Sequence, residues 1–498
     1  MDILSALPGS GPAFTSFFIM LFNSIEYLFF LPVVFLLYWT ACRSLVSRNA
    51  LLLAASYLFY GWWDYRFLLL IAGMTAYSYV AGRLAGAYGE RKIIRKAILW
   101  LSVGVCMGTL VVFKYFNFFA AGFSRLLSIA GMTVDSVTLD LVLPVGISFY
   151  TFQSLSYVID VCRGSIEPQK KALPFFVFIS FFPQLVAGPI ERAANLLPQF
   201  TSLCEFRYEQ AASGMKLILW GLFKKMVVAD NAAVVVNTVF SDYASAGTLN
   251  LWIAAVLFSL QIYGDFSGYS DIAIGTARLF GVNLMRNFRL PYFSRGISDF
   301  WRRWHISLTS WFRDYVYIPL GGSRRGKKAT VRNTIVVFMA SGLWHGANLT
   351  FVVWGLYHAI LFVPGVIFGR RRGKDAGENT GRLIPPFGES LMMGVTFLLG
   401  MIGWVIFRSP DLENAFRYIS LMFSHPSTAS VVYGKAALAW GAIMLALEWL
   451  SRDKEAPTFL PSGGLWSHTP ARWCFYVVMF MVTLVCAGGQ EEFIYFRF

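Results

Sequence analysis

The chain has 498 residues, of which 57% are hydrophobic and only 14% are charged. Soluble domains are about 45–50% apolar and about 25% charged, so this composition excludes disordered, collagen-like and ordinary cytosolic proteins. It predicts an all-α polytopic integral membrane protein. The formal net charge of +15 is concentrated in residues 82–96, 286–332 and 370–382. Because no basic stretch belongs to a soluble domain, we interpret these segments as cytoplasmic loops and not as nucleic-acid-binding surfaces.

The N-terminal part divides at Met20, where a compact apolar run begins. Residues 1–19 are predicted to be a loosely held extension, with Met20 as the biological start, because this stretch is rich in Gly, Pro and Ser. Residues 20–172 are predicted to hold the N-terminal transmembrane helices, since a bilayer needs about 20 apolar helical residues per span. The candidate spans are 25–42, 49–63, 66–83, 97–119 and 141–161. If 82–96 is cytoplasmic, alternation places residues 120–140 on the other side of the membrane.

The middle of the chain, residues 173–369, is less regular. Three prolines interrupt the apolar run 173–190, which predicts a broken or re-entrant helix. The apolar segment 333–343 is too short to span and lies between two basic segments that should both be cytoplasmic. Together with 349–369 it predicts a hairpin whose turn, 344–348, lies inside or across the membrane. The remaining candidate spans, including those of the C-terminal transmembrane region 370–498, are 211–229, 250–280, 387–407, 433–450 and 471–488.

His345 lies in the predicted hairpin turn, within the sequence SGLWHGAN (341–348). An ionisable side chain at membrane depth is a candidate functional residue, and imidazole can accept a proton near neutral pH. The two glycines of this sequence permit a close approach of the backbone. The alternative is a histidine that only hydrogen-bonds neighbouring helices to each other. Residue type and position leave both interpretations open.

His305 lies in SDFWRRWHISL (298–308), where apolar residues recur at helical spacing. The pattern predicts one amphipathic helix whose apolar stripe contains Phe300, Trp304, Leu308, Trp311 and Tyr315. His305 would fall at the border between this stripe and a polar face, and the helix would lie in the cytoplasmic interface. One interpretation is an incidental histidine on such a helix. The other is a histidine at the mouth of a cavity, where four arginines attract an anionic donor, namely Arg302, Arg303, Arg324 and Arg325.

Two further ionisable residues have predominantly structural interpretations. His358 is flanked by Trp354 and Tyr357 within a predicted helix, and we interpret it as structural. The spacing of the three central histidines does not match the close His or Cys pairs of zinc sites, so no metal site is expected. Asp265 shares a helix face with Tyr269, and we interpret it as a link between helices or as part of a water-filled cavity.

Several long segments, in order along nearly the whole chain, match the pattern of a known family. They are 20–38, 148–164 (SFYTFQSLSYVIDVCRG), 182–192 (FPQLVAGPIER), 261–281 (QIYGDFSGYSDIAIGTARLFG), 298–322 (SDFWRRWHISLTSWFRDYVYIPLGG), 341–358 (SGLWHGANLTFVVWGLYH) and 493–498 (FIYFRF). On these segments the chain resembles the membrane-bound O-acyltransferase family, specifically its bacterial branch for alginate O-acetylation. Gly264 stands where the family pattern suggests a bulkier residue.

The resemblance implies a helical bundle around a transmembrane tunnel, with residues 173–369 as the catalytic core. It implies that an acyl group moves from a cytoplasmic thioester, such as acetyl-CoA or a loaded acyl carrier protein, to an extracytoplasmic polysaccharide such as alginate. His345 maps onto the invariant histidine of the family, and His305 maps onto the second histidine of this branch. We therefore expect His345 to act as a general base or as an acyl relay, and His305 to position the donor or share the proton transfer.

The resemblance also implies a partner protein and a location. We expect a periplasmic or extracellular partner of the SGNH type, a bacterial inner-membrane location and no bound cofactor. Arg302, Arg303, Trp301 and Asn348 are candidate residues for binding the acyl donor. The sequence leaves two other functions open. One is a transporter or flippase of acyl or saccharide intermediates, which would share the broken helices, and the other is D-alanyl transfer to teichoic acid.

Overall fold

A computed structural model of the chain describes residues 20–129, 131–132, 139, 141–186, 188–368, 383–424 and 434–494. Each regular element in these ranges is a helix, which confirms the all-α prediction. Within them, the helices that are long and apolar enough to cross a membrane are Arg66–Ala87, Lys92–Ile129, Thr248–Leu279, Leu349–Phe368 and Phe387–Arg408. Each of these overlaps a predicted span. The predicted extension, 1–19, lies outside the described residues.

The N-terminal region is a series of helices. The α-helices described there are α1 (Ile25–Leu36), α2 (Leu45–Gly61), α3 (Arg66–Ala87), α4 (Lys92–Leu110), α5 (Phe116–Ile129) and α6 (Ile147–Arg163). A π-helical turn at Val111–Tyr115 joins α4 to α5. Helix α6 begins later than the predicted span at 141, because Pro144 has no N–H to donate and Gly146 adopts a left-handed φ of 73°.

The central region combines short and long helices. They are α7 (Ala172–Ser180), α8 (Phe182–Leu185), α9 (Ala193–Leu196), α10 (Tyr208–Leu222), α11 (Asp230–Ser241), α12 (Thr248–Leu279), α13 (Ile297–Arg303), α14 (Ile306–Phe312), α15 (Gly326–His345) and α16 (Leu349–Phe368). A non-helical residue, Phe181, separates α7 from α8, and Pro183 lies in the first turn of α8. The predicted interruption of 173–190 is therefore confirmed. The C-terminal region adds α17 (Phe387–Arg408), α18 (Leu412–Ser424), α19 (Lys435–Leu450) and α20 (Thr469–Val485).

Helix α6 connects two chemically different ends of the bundle. Next to its N-terminus, Tyr60 donates a hydrogen bond to the carbonyl oxygen of Val145 at 2.9 Å. At its C-terminus, Arg163 donates to the carbonyl oxygen of Asp314 at 3.3 Å, and the Asp314 carboxylate lies 3.4 Å from the Arg192 guanidinium. A helix of 17 residues separates these two points by about 25 Å. Asp314 and Arg192 therefore lie at the end of α6 marked by Arg163, called the basic end below.

Asp265, in the middle of α12, anchors several parts of the chain. Lys225 Nζ lies 2.9 Å from Oδ1 of Asp265 and 2.7 Å from Oδ1 of Asp230, and all three side chains are buried. The second carboxylate oxygen of Asp265 accepts a hydrogen bond from the Ile494 N–H at 2.7 Å. Lys225 also donates to the carbonyl oxygen of Glu491 at 2.9 Å. Of the two interpretations of Asp265, these contacts support the structural link.

Candidate active site

Helices α15 and α16 form the hairpin that the sequence predicts, with its turn at residues 346–348. Helix α15 exceeds the predicted apolar segment 333–343, because it already begins at Gly326 within the basic stretch. Asn348 closes the turn. Its side-chain oxygen accepts from the Thr350 N–H at 3.1 Å, and its amide donates to the carbonyl oxygen of Pro410 at 2.6 Å. Asn348 therefore ties the hairpin turn to the end of α17, and its part in donor binding stays a prediction.

Two glycines allow the helices of the hairpin to touch. A Cβ atom on Gly342 would lie 2.1 Å from the carbonyl oxygen of Phe351, and a Cβ atom on Gly355 would lie 2.3 Å from that of Phe338. Both distances are far below normal contact, and the obstructing atoms belong to the backbone of the opposite helix. The close approach of α15 and α16 thus depends on the absence of a side chain at these positions.

His345 is the last residue of α15 and is 5% exposed. Its ring stands nearly perpendicular to the rings of Trp354 and Phe407, each with a centroid distance of 5.2 Å. His345 also lines a small cleft, whose wall includes residues 143–149 and Lys114. Residues 143–149 lie at the N-terminus of α6. The cleft is therefore at the end of α6 opposite to the basic end.

The surroundings of His305 differ from the prediction. The single amphipathic helix predicted over 300–315 is wrong, because α13 ends at Arg303, α14 begins at Ile306 and His305 has a left-handed φ of 43°. The neighbouring chain fixes this break, since the Ile306 N–H donates to the carbonyl oxygen of Asn287 at 2.9 Å. His305 is only 1% exposed. The segment is therefore packed inside the protein and does not lie on the membrane interface.

One indole ring connects the two candidate histidines. The centroid of the Trp344 ring lies 5.0 Å from that of His345 and 5.9 Å from that of His305. On its other side, the His305 ring meets the Phe266 ring of α12 at 4.7 Å. The hairpin and the break before α14 thus bring together two histidines that are distant in sequence.

The candidate donor-binding residues next to His305 have different environments. Arg302 is exposed, whereas Arg303 forms an ion pair with Asp299 at 2.9 Å. Trp301 is buried, and its ring stands perpendicular to that of His358 at a centroid distance of 5.0 Å. Trp301 is therefore an internal packing residue. Donor binding by these three residues stays a prediction.

His358 is completely buried between aromatic rings. The rings of Trp301 and Trp354 each lie 5.0 Å from it, and neither of its nitrogens has a hydrogen-bond partner among the described residues. This packing agrees with the structural interpretation of His358. Within the same ranges, no three His, Cys, Asp or Glu side chains gather in a way that could hold a metal ion.

Lys114 is a residue of this site that the sequence analysis did not single out. It lies in the π-helical turn between α4 and α5 and lines the same cleft as His345. Its Nζ donates a hydrogen bond to the carbonyl oxygen of Trp344 at 2.9 Å. The sequence does carry a signal for it, since a lone lysine within the apolar span 97–119 is itself a candidate functional residue.

Comparison with known proteins identifies the family. Residues 169–374 match the model of the membrane-bound O-acyltransferase family. The chain is 40% identical over 406 residues to the probable alginate O-acetylase AlgI of Pseudomonas putida, which covers 81% of this chain and 80% of the relative. It is 33% identical over 439 residues to the peptidoglycan O-acetyltransferase of Helicobacter pylori, covering 81% and 80%. It is 31% identical over 283 residues to the teichoic acid D-alanyltransferase of Bacillus subtilis, covering 54% and 69%. The chain therefore belongs to the membrane-bound O-acyltransferase family.

Proposed function

We propose that the protein transfers an acetyl group from a cytoplasmic thioester to an extracytoplasmic polysaccharide, such as alginate, with His345 at the reacting centre. The position of His345 carries this proposal, because it is buried at the tip of the α15–α16 hairpin and on the wall of the cleft. The O-acetylating relatives cover 81% of the chain, whereas the D-alanyltransferase covers 54%. This difference supports O-acetylation over D-alanylation.

The reaction is an acyl transfer in which a hydroxyl attacks a thioester. The acceptor hydroxyl attacks the carbonyl carbon of the thioester, and His345 takes the proton of that hydroxyl as general base. An acyl group held briefly on the imidazole is the alternative route through the same ring. His305, on the other side of the Trp344 ring, would position the thioester or share the proton. Because the thioester itself brings the acyl group, no bound cofactor is required.

The donor would approach from the basic end. Arg302 is exposed, and so are Arg324 and Arg325 just before α15. Guanidinium groups bind phosphates and acidic surfaces, which suits acetyl-CoA or an acyl carrier protein. The variant Arg302→Ala should raise the KM for acetyl-CoA more than Arg303→Ala does, since Arg303 already pairs with Asp299. Equal KM values for wild type and Arg302→Ala would contradict this docking role.

The acceptor side would be the end of the bundle that holds the cleft. By the positive-inside rule the basic end faces the cytoplasm, so the cleft would face the periplasm or exterior of a bacterial inner membrane. A donor could then enter at one end while the acyl group leaves at the other. We infer that an SGNH-type partner outside the cytoplasm completes delivery to the polymer.

The proposal is tested by gene deletion and complementation. Cells that lack the gene should lose base-labile acetate from one envelope polymer, and the wild-type gene should restore it. His345→Ala should not restore it, since general-base catalysis contributes about 10²–10⁴-fold. The matched control is His468→Ala, because His468 is exposed. Full acetylation by His345→Ala, at a membrane level equal to that of the control, would overturn the catalytic assignment.

A further inference from the structure

We infer that Lys114 is a further catalytic residue, which stabilises the negative charge that develops on the acyl carbonyl oxygen during transfer at His345. The inference rests on the proposed function, because it assigns a role within the same acyl transfer.

In the part of the chain that the structure describes, no carboxylate pairs with the charge of Lys114. Among the described residues, none of the ion pairs involves Lys114, and the lining of the cleft contains no Asp or Glu. The residues before it, Val111 and Val112, are exposed and apolar, as expected of a helix that faces lipid. A cation within a membrane helix is costly and usually serves a function. An anion formed in the cleft would supply the opposite charge.

The geometry directs this cation towards the reacting centre. Nζ of Lys114 donates to the carbonyl oxygen of Trp344 at 2.9 Å, and this oxygen belongs to the peptide bond that joins Trp344 to His345. A lysine ammonium has three hydrogens, so two remain for other acceptors. The π-helical turn Val111–Tyr115 that carries Lys114 is a feature often found at functional sites. Lys114 and His345 thus both line the cleft. A hydrogen bond joins Lys114 to Trp344, the residue directly before His345.

The chemistry requires a donor of this kind. When the acceptor oxygen bonds to the thioester carbon, the carbonyl π electrons move onto the carbonyl oxygen, and the hydroxyl proton passes to His345. The Lys114 ammonium donates a hydrogen bond to that oxyanion. The oxyanion then collapses, the C–S bond breaks, and the thiolate takes the proton from His345. The products are an ester and a free thiol, so no oxidant or reductant is consumed.

A purely structural role is the competing explanation, and the chain offers a matched control for it. Tyr115, the next residue, donates from its hydroxyl to the carbonyl oxygen of Leu343 at 2.5 Å. Lys114 and Tyr115 therefore tether adjacent carbonyls of the same hairpin. Only Lys114 brings a positive charge and lines the cleft. If tethering were the whole role, Lys114→Met and Tyr115→Phe should have similar effects.

The test measures the rate at which base-labile acetate appears on the polymer, per amount of full-length protein in the membrane, in the deletion strain. Lys114→Met should lower this rate about 10²–10³-fold, which is the usual effect of removing one oxyanion donor. Lys114→Arg should restore part of the rate, and Tyr115→Phe should stay within about threefold of wild type. If Lys114→Met does not reach the membrane, Lys114→Gln is measured instead, because it removes the charge and keeps a polar donor.

Two results would overturn the role of Lys114 alone. One is a rate for Lys114→Met, or for Lys114→Gln in its place, within about threefold of wild type while His345→Ala is inactive. The other is an equal loss of rate in that Lys114 variant and in Tyr115→Phe, accompanied by an equal fall in melting temperature. Acetylation that persists in His345→Ala would instead overturn the proposed function, and the role of Lys114 with it.

Discussion

The side-chain oxygen of Asn287 lies 3.2 Å from Nδ1 of His305. The same oxygen accepts hydrogen bonds from the N–H and the hydroxyl of Ser307, at 3.3 and 3.0 Å. Because a backbone N–H can only donate, the Asn287 atom that faces it must be the oxygen, and Nδ1 of His305 must carry a hydrogen. In the neutral ring the lone pair is then on Nε2. Asn287 thus decides which nitrogen of His305 can accept a proton.

Replacing Asn287 with Leu should lower both activity and stability. The change leaves the Ser307 donors and Nδ1 of His305 without their acceptor, and each buried unpaired group costs about 1–3 kcal/mol. Asn287→Asp keeps an acceptor oxygen and should retain more activity than Asn287→Leu. Polymer acetate per membrane protein and the melting temperature in detergent measure the two effects. Wild-type acetate in Asn287→Leu would show that His305 needs no fixed orientation.

Replacing His358 with Phe should leave acetylation and stability close to wild type. Neither nitrogen of His358 has a partner among the described residues, so the change removes no hydrogen bond there, and a phenyl ring keeps an aromatic ring between Trp301 and Trp354. The matched variant is His345→Phe, which should be inactive. Both variants can be assayed for acetate in the deletion strain. An equally inactive His358→Phe would refute the structural interpretation of this residue.

Replacing Gly355 with Ala should destabilise the hairpin, because the new methyl group would meet the Phe338 carbonyl oxygen. Overpacking of this kind costs about 1–3 kcal/mol. Gly365 lies in the same helix and has open space around a Cβ position, so Gly365→Ala is the control. The melting temperature of Gly355→Ala in detergent should fall, while that of Gly365→Ala should not. Equal melting temperatures would mean that α15 and α16 are less closely packed.

Replacing Lys225 with Met should be strongly destabilising, because Asp230 and Asp265 would be left buried without their cation. Breaking a buried ion pair in this way costs about 3–5 kcal/mol. The control is Arg66→Met, which breaks the pair with Asp64 at 2.6 Å, where the Arg66 side chain is 65% exposed. Exposed pairs contribute little to stability because water screens the two charges. Unfolding in detergent compares the two variants, and a smaller loss for Lys225→Met than for Arg66→Met would contradict the anchoring role.

The hairpin illustrates what the sequence could predict. Segment 333–343 was short and lay between basic stretches, so its charge and length together required a turn near 344–348, and the turn is at 346–348. The start of α15 at Gly326 was harder to predict, because the hydropathy pattern marks apolar residues and not the polar first turns of a helix. The prediction put His345 in the turn itself, whereas His345 is the last residue of α15, directly before the turn.

The surroundings of His305 and Lys114 could not be predicted in the same way. The 3.6-residue period runs unbroken through His305, and only the tertiary hydrogen bond from Ile306 to Asn287 reveals the break. Local periodicity carries no information about such a distant partner. The sequence shows Lys114 as a charged residue in an apolar span. It does not show the contact with Trp344, because the two residues are far apart in the chain.

The left-handed backbone of His305 determines which replacements can be interpreted. Outside glycine, a positive φ is tolerated best by Asn and Asp, and it is strongly unfavourable for β-branched residues. His305→Val would therefore change the path of the chain between α13 and α14 as well as remove the imidazole. His305→Asn removes the ring and preserves the turn, so the chemistry of the imidazole can be separated from the folding of the segment that holds it.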